Sequence, residues 1–210
     1  MTTTAPRRAT RPGRGRLVPA GLLALGAVPV IAGAFRLGDP GGGGAPLVAH
    51  VIGAGGYAVL GAFQFAPRFR ARRRRWHRVA GRLVVLCGLA AALSGLWLTL
   101  FPFRQADAAL LLTGTRLVFG ALWALFLVLG VTAARRRDVV GHRAWMTRAY
   151  AVGLAAGTQV FTLGLGTVVL GDPDRTAEAL LMLAGWLVNL AVAERAVRRS
   201  RTTPDPVEAR

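Results

Sequence analysis

The chain has 210 residues, 27 arginines or lysines against nine acidic residues, and a formal net charge of +18 at pH 7. Every basic residue is arginine, and 53% of the residues are hydrophobic. One cysteine, Cys87, excludes an internal disulfide framework and any multi-cysteine metal site. A soluble nucleic-acid binder spreads basic residues over a polar surface. Here the arginines punctuate long uncharged apolar runs, so a multi-pass membrane protein is expected and nucleic acid is not expected as a partner.

In chain order, a basic cytoplasmic N-terminal segment (1–16) leads into six apolar spans, about 17–35, 45–67, 83–103, 108–134, 149–171 and 177–195. A helix needs roughly 20 apolar residues to cross the hydrocarbon core. In lipid, backbone amides must pair internally, and no strand-like alternation interrupts these runs, so an all-α helical bundle is predicted. The first span resembles a signal peptide in its preceding arginines and its "AGA" at 32–34. Its apolar run is longer than a usual signal core, which favours a retained anchor. Short Gly- and Pro-containing connections join the spans, and a polar tail, 196–210, is read as cytoplasmic.

Orientation follows from arginine counts. With both termini cytoplasmic, 23 arginines fall on inner segments, eight of them in "RFRARRRRWHRVAGR" (68–82). Arg36, Arg104, Arg116 and Arg175 remain on the outer side or within a span. This is a strong positive-inside bias and predicts a bacterial cytoplasmic (inner) membrane protein. The inner arginines are expected to meet anionic phospholipids, at about 1 kcal/mol each near the surface.

Polar residues within spans are costly and merit separate scrutiny. In span two His50, Tyr57 and Gln64 recur every seven residues, drifting only about 20° per step on a helix. Gly53, Ala54 and Gly61 share that side, so a polar face directed into the bundle is predicted. Interhelical packing and a solute path are both readings of this face. Arg116 lies inside span four, where it either snorkels outward or joins His50 and Glu178 in an outer site. Gln159 and Asn189 are read as packing donors, and no pair of broken helices is evident.

Two further histidines echo each other. "HRVAGR" (77–82) opens span three and "HRAWMTR" (142–148) opens span five, each at the inner mouth of an outward helix. Helix N-termini and neighbouring guanidinium groups favour neutral imidazole, the form that ligates haem iron. His77 and His142 are therefore candidate axial ligands of one b-type haem. Arg82, Arg143 and Arg148 are candidate partners for its propionates, or for lipid phosphate. The alternative is that both His-Arg pairs contact lipid headgroups.

With "HVIGAGGYAVLGAFQF", "HRVAGR" and "HRAWMTRAY" together, the chain resembles the bacterial membrane-protein family called domain of unknown function 2306. The resemblance covers about residues 45–165, and "HRxWMxR" is its most specific part. It implies class rather than chemistry. A more distant resemblance is to transmembrane di-haem cytochromes b, in which histidines on different helices pair across a bundle. That resemblance implies His77 and His142 as one pair. A second pair requires a histidine on span four facing His50, where Arg116 stands instead.

Three function classes remain: haem- or quinone-linked electron transfer, a small-solute carrier or channel, and a non-catalytic lipid- or partner-binding scaffold. If the protein is an enzyme, it is a membrane oxidoreductase component. No catalytic triad or metal-hydrolase spacing is present. A redox partner or a second copy of the chain are the protein partners expected.

Overall fold

The computed structural model describes residues 14–38, 44–65, 74–101 and 110–202. Arg68, Arg70, Arg72, Arg73, Arg104 and the two terminal segments lie outside these. Among the described residues there are seven helices and no strand: α1 (Arg14–Leu37), α2 (Gly44–Gln64), α3 (Arg74–Leu100), α4 (Leu110–Arg135), α5 (Val139–Gly153), α6 (Ala155–Leu170) and α7 (Arg175–Thr202). Five are long and apolar enough to cross a membrane, and α5 with α6, bent by 42° at the break between them, make a sixth when the pair is taken as one span. Large apolar side chains such as Ile52, Leu86, Val168 and Val192 face outward, as lipid contact requires.

Helices α2 and α3 form a close hairpin because small residues line the seam. A Cβ on Gly53 would lie 2.8 Å from the Cys87 carbonyl oxygen and 2.9 Å from the Ala91 nitrogen. The backbones therefore touch, as small residues in membrane helices permit. α1 packs on α2 and α6 despite Pro19 and Pro29 in its interior. The remaining framework is α4 against α3, α5 and α7, with α7 also against α5 and α6.

The core is aromatic and joins four of these helices. Tyr57 (α2) meets Trp123 (α4) edge-on at 5.1 Å and Tyr150 (α5) at 5.5 Å. Tyr150 also packs on Phe65 at 4.9 Å, and its hydroxyl donates to the Ala58 carbonyl at 2.8 Å. Gly61, Gly88 and Gly153 are the surfaces on which these rings rest. One turn before Trp123 on α4, Phe119 stacks on Trp186 of α7 at 4.7 Å.

Two details at the ends of α5 differ from what the apolar run alone implied. The helix starts at Val139, ten residues before the predicted span. Asp138 caps it by accepting from the Gly141 amide at 2.8 Å, as short polar caps do. The turn before it holds Arg137 at φ 62, a left-handed conformation in a residue with a Cβ. Arg137→Gly is accordingly expected to stabilise the fold by up to about 1 kcal/mol, since αL costs glycine nothing. Thermal unfolding in detergent would show the upward shift.

At the other end α5 stops at Gly153 and α6 resumes at Ala155, with Leu154 between them at φ −90 and ψ 0. The fifth span is thus broken, where an unbroken helix was expected. No proline marks the site. The α7 side chain Asn189 straddles the break, donating to the Ala151 carbonyl at 2.9 Å and accepting from Thr158 at 2.7 Å.

Candidate functional site

The polar face of α2 points into the bundle along most of its length. Tyr57 is 1% exposed and Gly53 and Gly61 are buried, while His50, Ala54 and Gln64 are half-buried. Both polar atoms of the Gln64 carboxamide are buried, and among the described residues neither has a hydrogen-bond partner. Near the start of α2, His50 Nδ1 donates to the Ala91 carbonyl of α3 at 2.9 Å. The same carbonyl accepts from Ser94 at 3.2 Å. A carbonyl oxygen only accepts, so Nδ1 carries the proton.

His142 repeats this arrangement at the arginine-rich end. Its Nδ1 donates to the Gly130 carbonyl of α4 at 2.8 Å. Helix α5 begins at Val139, so His142 is its fourth residue, at the end of the first turn. His77 lies in the first turn of α3 and is half-buried. α3 packs on α2 and α4, whereas α5 packs on α4, α7 and α2. The shared neighbours α2 and α4 are what bring the two histidine-bearing helices to one bundle.

Of the three arginines proposed beside these histidines, Arg82 and Arg143 are exposed. Arg148 is engaged instead by Glu194 of α7. Its Nε donates to Oε1 and its Nη2 to Oε2 at 3.0 Å, a bidentate fork that fixes both side chains. The guanidinium also sits 4.8 Å above the Trp145 ring, which in turn packs on Phe126 at 5.6 Å. Met146 lies against Gly130, where any Cβ would crowd it at 3.1–3.2 Å.

Nearly every residue of "HRAWMTR" therefore has a structural partner. His142 and Met146 hold α5 to Gly130, Trp145 holds it to Phe126, and Arg148 ties it to Glu194. Arg143 alone points away exposed. The Arg148–Glu194 pair escapes the sequence reading, which assigns Arg148 to haem propionates or lipid phosphate. The available signal was a lone acid, Glu194, at the arginine-rich end of the last span.

At the opposite end, Arg116 of α4 is half-buried and feels the charges of Glu178 on α7 and Arg36 on α1. Arg116 and Glu178 thus attract each other across the bundle, and the Arg36 charge opposes Arg116. His50 is held separately against α3. Among the described residues no three His, Cys, Asp or Glu side chains converge as a metal-ligand group.

Against known proteins, a family model described as "Predicted membrane protein (DUF2306)" matches residues 47–197. No curated protein and no solved structure matches the chain.

Proposed function

The chain belongs to the DUF2306 family of predicted membrane proteins, and from that premise we propose that it carries one b-type haem near its arginine-rich end and passes electrons within the bacterial cytoplasmic membrane. His77 and His142 are the axial ligands in this reading, and Arg82 and Arg143 meet the propionates. Arg148 is held by Glu194 and serves to fix α5.

One observation carries the proposal: the hydrogen bond from His142 Nδ1 to the Gly130 carbonyl at 2.8 Å. Ligating histidines almost always donate their other ring N–H to a carbonyl, carboxylate or water, which fixes tautomer and ring orientation. With Nδ1 protonated, the Nε2 lone pair of the neutral ring is the one left for iron. A bound haem would supply reversible one-electron chemistry, and the protein would set its ligation and surroundings.

Reduced-minus-oxidised visible spectra of detergent-purified protein from haem-replete cells provide the test. The wild type should show Soret and α bands, and His77→Ala and His142→Ala should each abolish or shift them. A wild type without those bands sinks the proposal.

A carrier is the second reading, favoured by the bend at Leu154, since broken helices build the sites of many transporters. Burial of Tyr57 and Gln64 inside the bundle is compatible with it. Against it, the break is closed by Asn189, whose amide takes up Ala151 and Thr158 rather than leaving oxygens for a solute. In either reading, exposed Arg135, Arg136, Arg137 and Arg143 are the residues proposed to meet anionic phospholipids.

A further inference from the structure

We propose that His50 is a second ligand-binding group, taking the hydroxyl of a lipid-soluble hydroquinone through its Nε2. The Ala91 carbonyl fixes the ring, because Nδ1 must be the donor in a 2.9 Å contact to an oxygen that only accepts. In the neutral imidazole, Nε2 is then a pure acceptor. Among the described residues no hydrogen bond reaches Nε2, and the nearby Ser94 hydroxyl is turned to the Ala90 and Ala91 carbonyls.

An acceptor nitrogen without a donor inside a membrane span is costly. His50 is the seventh residue of α2, roughly 9 Å along the helix from its start at 1.5 Å per residue. Set in from the end of an apolar helix, it suits a ligand that carries an O–H into the hydrocarbon layer. Gly95 provides clearance for the ring, since a Cβ there would lie 3.1 Å from its Cε1 and Nδ1. The acceptor character selects the reduced ligand. A hydroquinone offers O–H donors, whereas the oxidised quinone presents only carbonyl acceptors and cannot satisfy Nε2.

Electron transfer motivates the choice of a redox-active ligand, but binding at His50 does not depend on haem. The test is titration of the detergent-purified protein, without oxygen at pH 7.5, with decylubiquinol and separately with decylubiquinone. The quinol is expected to bind about tenfold or more tightly than the quinone, the worth of one hydrogen bond to an otherwise unpaired group. His50→Asn keeps an amide donor for the Ala91 carbonyl and removes Nε2. It should retain the wild-type unfolding temperature and lose the quinol preference. Equal affinity for the two ligands, or a preference that survives His50→Asn, overturns the site. A quinol preference in protein lacking haem bands upholds His50 while removing the haem. Haem bands with no quinol preference do the reverse.

Discussion

Gly157→Ala is expected to cost about 3 kcal/mol or more of stability, the upper end of what overpacking a well-filled interior does. The added Cβ would fall 2.9 Å from the Leu25 carbonyl carbon and closer still to its oxygen. These are main-chain atoms of α1, so a rotamer change cannot relieve the contact and the two helices must separate. Two neighbouring glycines calibrate the effect. At Gly166 the nearest atom, also about as close, is the Leu181 Cδ1, the tip of a flexible side chain that can swing aside. At Gly164 nothing lies within 4 Å. Unfolding of the three alanine variants in detergent, followed by tryptophan fluorescence, should rank Gly157 far above Gly166. Gly164→Ala should be neutral or stabilising by up to about 1 kcal/mol, the usual helix-propensity gain. A Gly157→Ala protein as stable as Gly164→Ala would mean that α1 does not rest on α6 as described.

That contact also marks the boundary of what the amino-acid order reveals. The spans are legible because a run of uncharged residues has one stable form in lipid, and α1, α2 and α4 begin and end within a few residues of the apolar runs. The inward face of α2 is legible because Tyr57, Gly53 and Gly61 share a heptad side, and a helix has a fixed period. Gly157 is not legible in this way. Its importance comes from a backbone oxygen more than a hundred residues away, and nothing local distinguishes it from Gly164. The start of α5 was missed for a different reason. "DVVGH" is too polar on average to read as membrane span, yet Asp138 is a sound N-cap and extends the helix beyond the lipid-compatible stretch.

The two backbone-anchored histidines sharpen the functional reading in the same terms. Sequence spacing paired His142 with His77, because both precede arginine at the inner mouth of a span. The structure adds a likeness that spacing could not show. His50 and His142 both give Nδ1–H to a carbonyl of the neighbouring helix, at 2.9 and 2.8 Å. A carbonyl partner is set by helix packing, here by Gly95 beside Ala91 and by Gly130 itself. It leaves no trace in the pattern of side chains. The ring nitrogen available for a ligand is therefore known for these two residues from tertiary structure alone.

Asn189→Leu is expected to destabilise the protein by about 2 kcal/mol and to loosen the fifth span at its bend. In a continuous helix the Ala151 carbonyl would accept the amide of Ala155, but the chain breaks at Leu154 between them. Asn189 Nδ2 fills that position at 2.9 Å, and its Oδ1 takes the Thr158 hydroxyl from the far side of the break. Interhelical side-chain hydrogen bonds in membranes average only about 0.6 kcal/mol, because unfolded helices find other partners. A carbonyl stranded at a helix break has fewer alternatives, so the larger cost of an unsatisfied group, about 1–3 kcal/mol, governs here. Thr158 has a way out, since a hydroxyl can turn back to its own helix. Thr158→Ala should therefore cost well under 1 kcal/mol, and in the Asn189→Leu background almost nothing. A double-mutant cycle on unfolding in detergent separates the two contributions. Equal losses for Asn189→Leu and Thr158→Ala would show that the amide serves only the α6–α7 contact, and that the bend holds without it.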